Sequence, residues 1–96
     1  MTRVAWLQAA LDDLRGIHNY IARDNPTAAR QVIKAVRSNV KILQDHPACG
    51  RPGRIEETRE LVVGRDPYIV AYRQTAQTLE ILAVVHTSRL WLESLP

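Results

Sequence analysis

Two apolar segments joined by a polar turn decide the fold: YIVAYR at positions 68–73 and TLEILAVVH at positions 78–86. Both are rich in β-branched and aromatic residues, which favour extended strands. Residues 74–77, QTAQ, would form the turn of a hairpin. The second segment carries apolar side chains on both faces, which is typical of a strand in the interior of a sheet. The sequence therefore predicts a hairpin whose second strand has neighbours on both sides.

Strict alternation predicts which side chains of the second strand share a face. Successive side chains of a strand point to opposite sides of the sheet. One face is then expected to carry Leu79, Ile81, Ala83 and Val85, and the other face Leu82 and Val84.

Upstream of the hairpin, apolar residues recur at intervals of three and four, the period of an amphipathic helix. Proline disfavours helix at the residue before it, so Pro26 and Pro47 should end a first and a second helix. Asn25 or Thr27 can cap the second helix. The two apolar stripes contain Leu7, Leu11, Leu14, Ile17 and Ile21 in the first helix and Ala29, Val32, Ile33, Val36, Val40 and Leu43 in the second.

The remaining segments complete a single α+β domain over residues 1–96. Residues 3–6 are expected to form an opening strand, and residues 48–57, which lack periodicity and are rich in glycine and proline, a loop. Residues 61–63 alternate in a further strand, and residues 87–96 form a short tail. The order β-α-α-β-β-β predicts an antiparallel helical hairpin packed on one face of a mainly antiparallel sheet.

Composition and charge restrict the kind of partner. The formal net charge is +3, and of 13 basic residues only Lys34 and Lys41 are lysine, which leaves 11 arginines. Arginine forms planar, bidentate pairs with phosphate or carboxylate. A surface rich in arginine therefore suits a nucleic acid or an acidic protein segment, although on composition alone a codon bias toward arginine is the simpler explanation.

Neither a cofactor, a metal nor a membrane is expected as a partner. One cysteine, Cys49, and three scattered histidines give no metal-ligand spacing. The N-terminus has no signal-peptide pattern, and no stretch reaches the ~18–20 apolar residues that span a bilayer. We therefore expect a cytoplasmic protein that works without a metal or cofactor.

An ordered set of short motifs resembles the RelE/ParE superfamily of toxins. The resemblance covers residues 4–91, and the whole set at these spacings carries it, because no single motif is specific. The motifs are DDL at 12–14, YIA at 20–22, HP at 46–47, GRPGR at 50–54, RELV at 59–62, YIVAYR at 68–73 and ILAVVH at 81–86.

The resemblance implies a growth-inhibiting toxin that a cognate antitoxin neutralises in a hetero-oligomer. In this family the antitoxin typically wraps an extended, partly helical tail around the toxin, and the complex reaches operator DNA only through the antitoxin. A basic line on one face of the second helix suits an acidic segment that folds on contact. The residues expected to contact the antitoxin are Arg30, Lys34, Arg37, Lys41, Leu82 and Val84.

The superfamily divides into two branches by target. ParE-like members inhibit DNA gyrase by binding and are not enzymes; here Arg51, Arg54, Arg89 and Trp91 would contact the target. RelE-like members are metal-independent endoribonucleases that cut mRNA on the ribosome. That chemistry needs a base, an acid and cations at one phosphate, and the candidates are His86, Arg73, Arg65 and Arg59.

The ParE-like branch is favoured, with the RelE-like branch as the alternative. No lysine follows Lys41, the tail has no tyrosine, and four carboxylates lie among the arginines of residues 51–73, where they offset the field that a phosphate needs. Two other interpretations remain open: a nucleic-acid-binding module without toxicity, and a degenerate toxin that retains only antitoxin binding.

Overall fold

The computed structural model describes residues 2–63 and 68–87 and contains two helices and five strands in that part of the chain. The predicted turn at 64–67 and the tail at 88–96, with Arg65, Arg89 and Trp91, lie outside the described residues. The elements are β1 (Arg3–Trp6), α1 (Gln8–Ala22), α2 (Pro26–Asp45), β2 (Arg51–Pro52), β3 (Arg59–Val62), β4 (Tyr68–Gln74) and β5 (Thr78–His86).

The five strands form one sheet in the order β1-β5-β4-β3-β2. β1 runs parallel to β5, and each of the other neighbouring pairs is antiparallel. Strand β5 is hydrogen-bonded on both sides, which confirms its predicted interior position. The predicted α+β order is also confirmed, except that a two-residue strand, β2, interrupts the segment expected to be a loop. A strand of two residues is too short to show an alternation of apolar and polar side chains in the sequence.

Helix α2 begins where its capping residues predict. The Asn25 side chain accepts a hydrogen bond from the backbone N–H of Ala28 at 3.0 Å, and Pro26 is the first residue of the helix. This cap satisfies one of the N–H groups that the first turn leaves without a helical partner. The two helices pack on one face of the sheet, around a core in which the largest fully buried side chains are Tyr72, Leu43, Leu79, Ile81, Val36, Val63 and Val70.

A bulge in β5 makes the predicted face assignment wrong beyond Ile81. Tyr72 lies opposite Ile81 and Ala71 lies opposite Ala83, so Leu82 has no residue across from it. An extra residue of this kind reverses the alternation that follows it. Val84 consequently joins Leu79 and Ile81 in the core beneath the helices, whereas Ala83 and Val85 cluster with Ile69 and Ala71 on the other face.

A buried tyrosine fixes the segment after α2 to the sheet. The Tyr72 hydroxyl donates to the carbonyl of Pro47 at 2.7 Å and accepts from the backbone N–H of Gly50 at 2.9 Å. A β-carbon on Gly50 would collide with this hydroxyl and its ring, so only glycine allows the approach. Burial raises the pKa of the Tyr72 hydroxyl, which keeps it a hydrogen-bond donor at neutral pH.

We expect Tyr72→Phe to lower the free energy of unfolding by about 1–3 kcal/mol, because it leaves a buried N–H and a carbonyl without their partner. Tyr20→Phe is the matched control, since Tyr20 is 72% exposed. Urea unfolding of both variants measures the difference. Equal stability of the two variants would contradict the anchoring role of Tyr72.

Alanine substitutions at Gly16 and Gly50 should change the free energy of unfolding in opposite directions. Gly16 lies inside α1, and apart from its chain neighbours and the helix backbone itself no atom lies within 4 Å of the place that a β-carbon would occupy. Gly16→Ala should therefore raise the free energy of unfolding by about 0.5–1 kcal/mol through helix propensity. Gly50→Ala should lower it, because the new methyl group meets Tyr72. Thermal melting distinguishes the two signs, and a lower melting temperature for Gly16→Ala would contradict the open helix surface.

Candidate functional site

A groove of about 730 Å³ lies between α2 and the edge strand β1. Its lining includes the apolar side chains of Val4, Trp6, Ile33 and Val40. Most of the apolar stripe of α2 faces the core, and Ile33 and Val40 also border the groove. Gln44, near the end of α2, donates from Nε2 to the carbonyl of Thr2 at 2.9 Å and ties the helix to the start of β1.

Four exposed basic residues also line this groove, and we call them the basic rim: Arg30, Lys34, Arg37 and Lys41. They are three or four residues apart, so they follow one face of α2. The described lining contains no carboxylate. A groove with an apolar floor and a basic rim can bind a segment that combines apolar and acidic side chains.

Leu82 and Val84, which the sequence assigned to the same interface, do not line this groove. Val84 is 3% exposed and packs in the core, because the bulge turns it toward the helices. Leu82 is 9% exposed at the bulge itself. The four residues of the basic rim therefore lie on one face of α2, as their spacing predicts, whereas Leu82 and Val84 are buried within the described fold.

Two arginines of residues 48–60, which we call the Gly-Arg segment, form their contacts within that segment. Arg51 forms an ion pair with Glu60, with 3.0 Å between a guanidinium nitrogen and Oε1. Arg59 donates to the carbonyl of Gly50 at 2.8 Å and to that of Ala48 at 3.4 Å. Arg54 is exposed. Arg51 and Arg59 therefore stabilise the shape of the segment, which leaves less of their hydrogen-bonding capacity for a phosphate.

Arg73 and His86, the principal candidates for ribonuclease chemistry, lie at opposite ends of the β4–β5 ladder. Arg73 lies opposite Glu80, whereas His86 lies opposite Tyr68. Tyr68 and Arg73 are five residues apart in β4, a distance of about 16 Å at ~3.3 Å per residue. The Arg73 guanidinium is held by Glu80 at 2.6 Å, and the His86 ring packs edge-on against Tyr68 with centroids 5.4 Å apart. One phosphate cannot reach both groups.

A second hollow, of about 650 Å³, lies between α1 and the ends of β4 and β5. Sequence reasoning identified only one of its residues, His86, as functional. The signal that could have found the others is Gly16, a residue that weakens a helix and lies in the polar face of this one. The described residues that line this second hollow are Asp12, Asp13, Gly16, Ile17, Tyr20, Tyr68 and His86.

Comparison with known proteins identifies the family. Residues 4–91 match the model of the ParE toxin of the type II toxin–antitoxin system parDE. The chain belongs to the ParE toxin family. The Sinorhizobium fredii protein Y4kP is 44% identical over 89 residues, which cover 93% of this chain and 92% of that protein. Toxin RelE2 of Caulobacter vibrioides is 32% identical over 90 residues, covering 94% of this chain and all of that protein.

Solved structures have the same fold as this ParE-family toxin. A chain of the chromosomal ParDE toxin–antitoxin system of P. aeruginosa superposes with a TM-score of 0.84 at 24% identity, covering 92% of this chain and 98% of that one. A chain of the RelBE2 toxin–antitoxin complex of Mycobacterium tuberculosis gives a TM-score of 0.65 at 25% identity, covering 88% and 96%. Relatives therefore carry names from both branches of the superfamily.

Within residues 2–63 and 68–87, no helix of this ParE-family toxin is long and apolar enough to cross a membrane. In the same ranges, no three His, Cys, Asp or Glu side chains are grouped so that they could hold a metal ion.

Proposed function

We propose that this ParE-family toxin inhibits DNA gyrase, and through it DNA replication, and that a cognate antitoxin neutralises it. The observation that carries the choice of target is the separation of Arg73 from His86 along the β4–β5 ladder. A ribonuclease needs its base, its acid and its cations around one phosphate. Inhibition by binding needs no such set.

The antitoxin is proposed to occupy the groove between α2 and β1. An amphipathic, acidic segment would place apolar side chains on Trp6 and Ile33 and carboxylates on the basic rim. The likeness to chains from the ParDE and RelBE2 systems supports an antitoxin as the partner. Any contact with operator DNA would be made by the antitoxin, not by this chain.

Contact with gyrase is proposed for the Gly-Arg segment and the tail. Arg51 and Arg54 are both exposed, and Tyr72 fixes the backbone beside them, so they form a preorganised surface. Arg89 and Trp91, the other residues proposed for this contact, lie outside the described residues. Arginine and tryptophan are the residue types that most often anchor protein interfaces.

A RelE-like ribosome-dependent endoribonuclease is the second candidate, favoured by the 32% identity to toxin RelE2. In that case His86 would exchange a proton with the RNA, while Arg73, Arg65 and Arg59 would stabilise the phosphate without a metal. This function requires that Arg73 leave Glu80 and approach His86, which the pairing of β4 with β5 opposes.

Induction of the protein in cells without antitoxin, with DNA and protein synthesis pulse-labelled separately, discriminates the two functions. We expect DNA synthesis to fall first, with filamentous cells and DNA breaks. If protein synthesis falls first and mRNA is cut at codon-defined positions, the gyrase proposal is wrong. Unimpaired growth would favour a degenerate toxin.

The groove proposal predicts that Lys34→Glu with Arg37→Glu weakens antitoxin binding by about 10–100-fold, most strongly at low salt. The matched control is Arg15→Glu with Arg23→Glu, the same charge change on exposed residues of the neighbouring chain segment outside the groove. Isothermal titration calorimetry with the purified antitoxin measures both pairs. Equal losses in the two pairs would mean that only net charge matters and that the groove is not the antitoxin site.

A further inference from the structure

A glycine inside α1 has no explanation within the described fold. Gly16 is exposed, and apart from its chain neighbours and the backbone of its own helix no atom lies within 4 Å of the place that a β-carbon would occupy. Glycine in a helix interior is unfavourable relative to alanine. Its remaining advantage is that another molecule can approach the helix backbone closely at that point.

The surroundings of Gly16 have the shape and chemistry of a docking site. Gly16 lies in the second hollow, about one helical turn from both Asp12 and Tyr20. Tyr20 is 72% exposed, an unusual exposure for a large ring beside a concavity. Tyr68 and His86 contribute two further rings at the strand ends. Aromatic rings around a concave site are typical anchors of protein interfaces.

Charge distinguishes this hollow from the groove of the antitoxin proposal. Its described lining contains Asp12 and Asp13 and neither lysine nor arginine, whereas the basic rim borders the α2 side of the groove. The two sites share no described lining residue. An acidic segment that suits the groove would be repelled by the carboxylates of the hollow. Carboxylates together with tyrosine rings instead favour a guanidinium or ammonium group.

We propose that the second hollow binds a lysine or arginine side chain, with its neighbouring backbone, of the protein that this toxin inhibits. The partner backbone passes over Gly16, and its cationic side chain lies between Asp12 and Tyr20. This proposal rests on the proposed function only for the identity of the partner, gyrase; the site itself is defined by the residues of the hollow.

The first test fills the hollow without disturbing the fold. Gly16→Gln adds a polar, helix-favouring side chain in open space. Ala9→Gln is the matched control, because Ala9 is exposed on the same helix and does not line the hollow. We expect Gly16→Gln to keep the wild-type melting temperature or exceed it, to bind antitoxin within about twofold of wild type, and to require at least about tenfold more inducer to stop growth. Ala9→Gln should match wild type in all three measurements.

A second pair tests the charge of the ligand. Asp12→Lys should reduce growth inhibition by a similar factor, and Asp24→Lys, the same charge change on an exposed residue outside the hollow, should not. Undiminished toxicity of either Gly16→Gln or Asp12→Lys would overturn the proposal. Loss of antitoxin binding by Gly16→Gln would assign the hollow to the antitoxin and overturn the proposed occupant.

Pulse-labelling of DNA and protein synthesis in cells that express wild-type toxin keeps the test of the hollow separate from the test of the target. If wild type stops protein synthesis rather than DNA synthesis, gyrase is the wrong partner, while the contrast between Gly16→Gln and Ala9→Gln still reports on the hollow. If wild type stops DNA synthesis and the two variants behave alike, the hollow is wrong and the target stands.

Discussion

The pairing of β4 with β5 fixes both the core of the domain and the positions of its candidate functional side chains. It places Tyr72 and Ile81 side by side beneath the helices, so the core and the anchor of the Gly-Arg segment share one point of the ladder. The same register holds Arg73 beside Glu80 at the turn and His86 beside Tyr68 at the far end. Because strands are stiff at this length, the two ends cannot serve one small site, and each end contributes to a different surface.

A single bulge changes which side chains the C-terminal end of β5 directs to each face of the sheet. Strand β1 pairs with β5 only as far as Ile81, and the extra residue at Leu82 follows directly. Beyond that point the Asp13 carboxylate accepts a hydrogen bond from the backbone N–H of Val84 at 3.0 Å, replacing a neighbouring strand. Helix α1 thereby holds the end of β5 beside its own exposed face, and the second hollow forms between them.

Elements and their order were predictable from the sequence because each leaves a strong local signal. The spacing of Val36, Val40 and Leu43 and the cap at Asn25 determine a helix wherever it packs. The bulge was not predictable, since apolar residues on both faces of β5 suit either alternation. The basic rim follows from helical spacing alone. Two features depend on how segments that are far apart in the chain pair with each other. They are the distance between Arg73 and His86 and the hollow around Gly16, and no local pattern in the sequence predicts them.

Purified components distinguish whether this ParE-family toxin acts by binding gyrase, as we propose, or by cutting RNA. The antitoxin-free protein is added to DNA gyrase with relaxed plasmid, and in parallel to translating ribosomes with a defined mRNA. Gyrase inhibition predicts loss of supercoiling, with cleaved DNA trapped on the enzyme, and an intact mRNA. Normal supercoiling together with codon-positioned cuts in the mRNA would instead identify a ribonuclease.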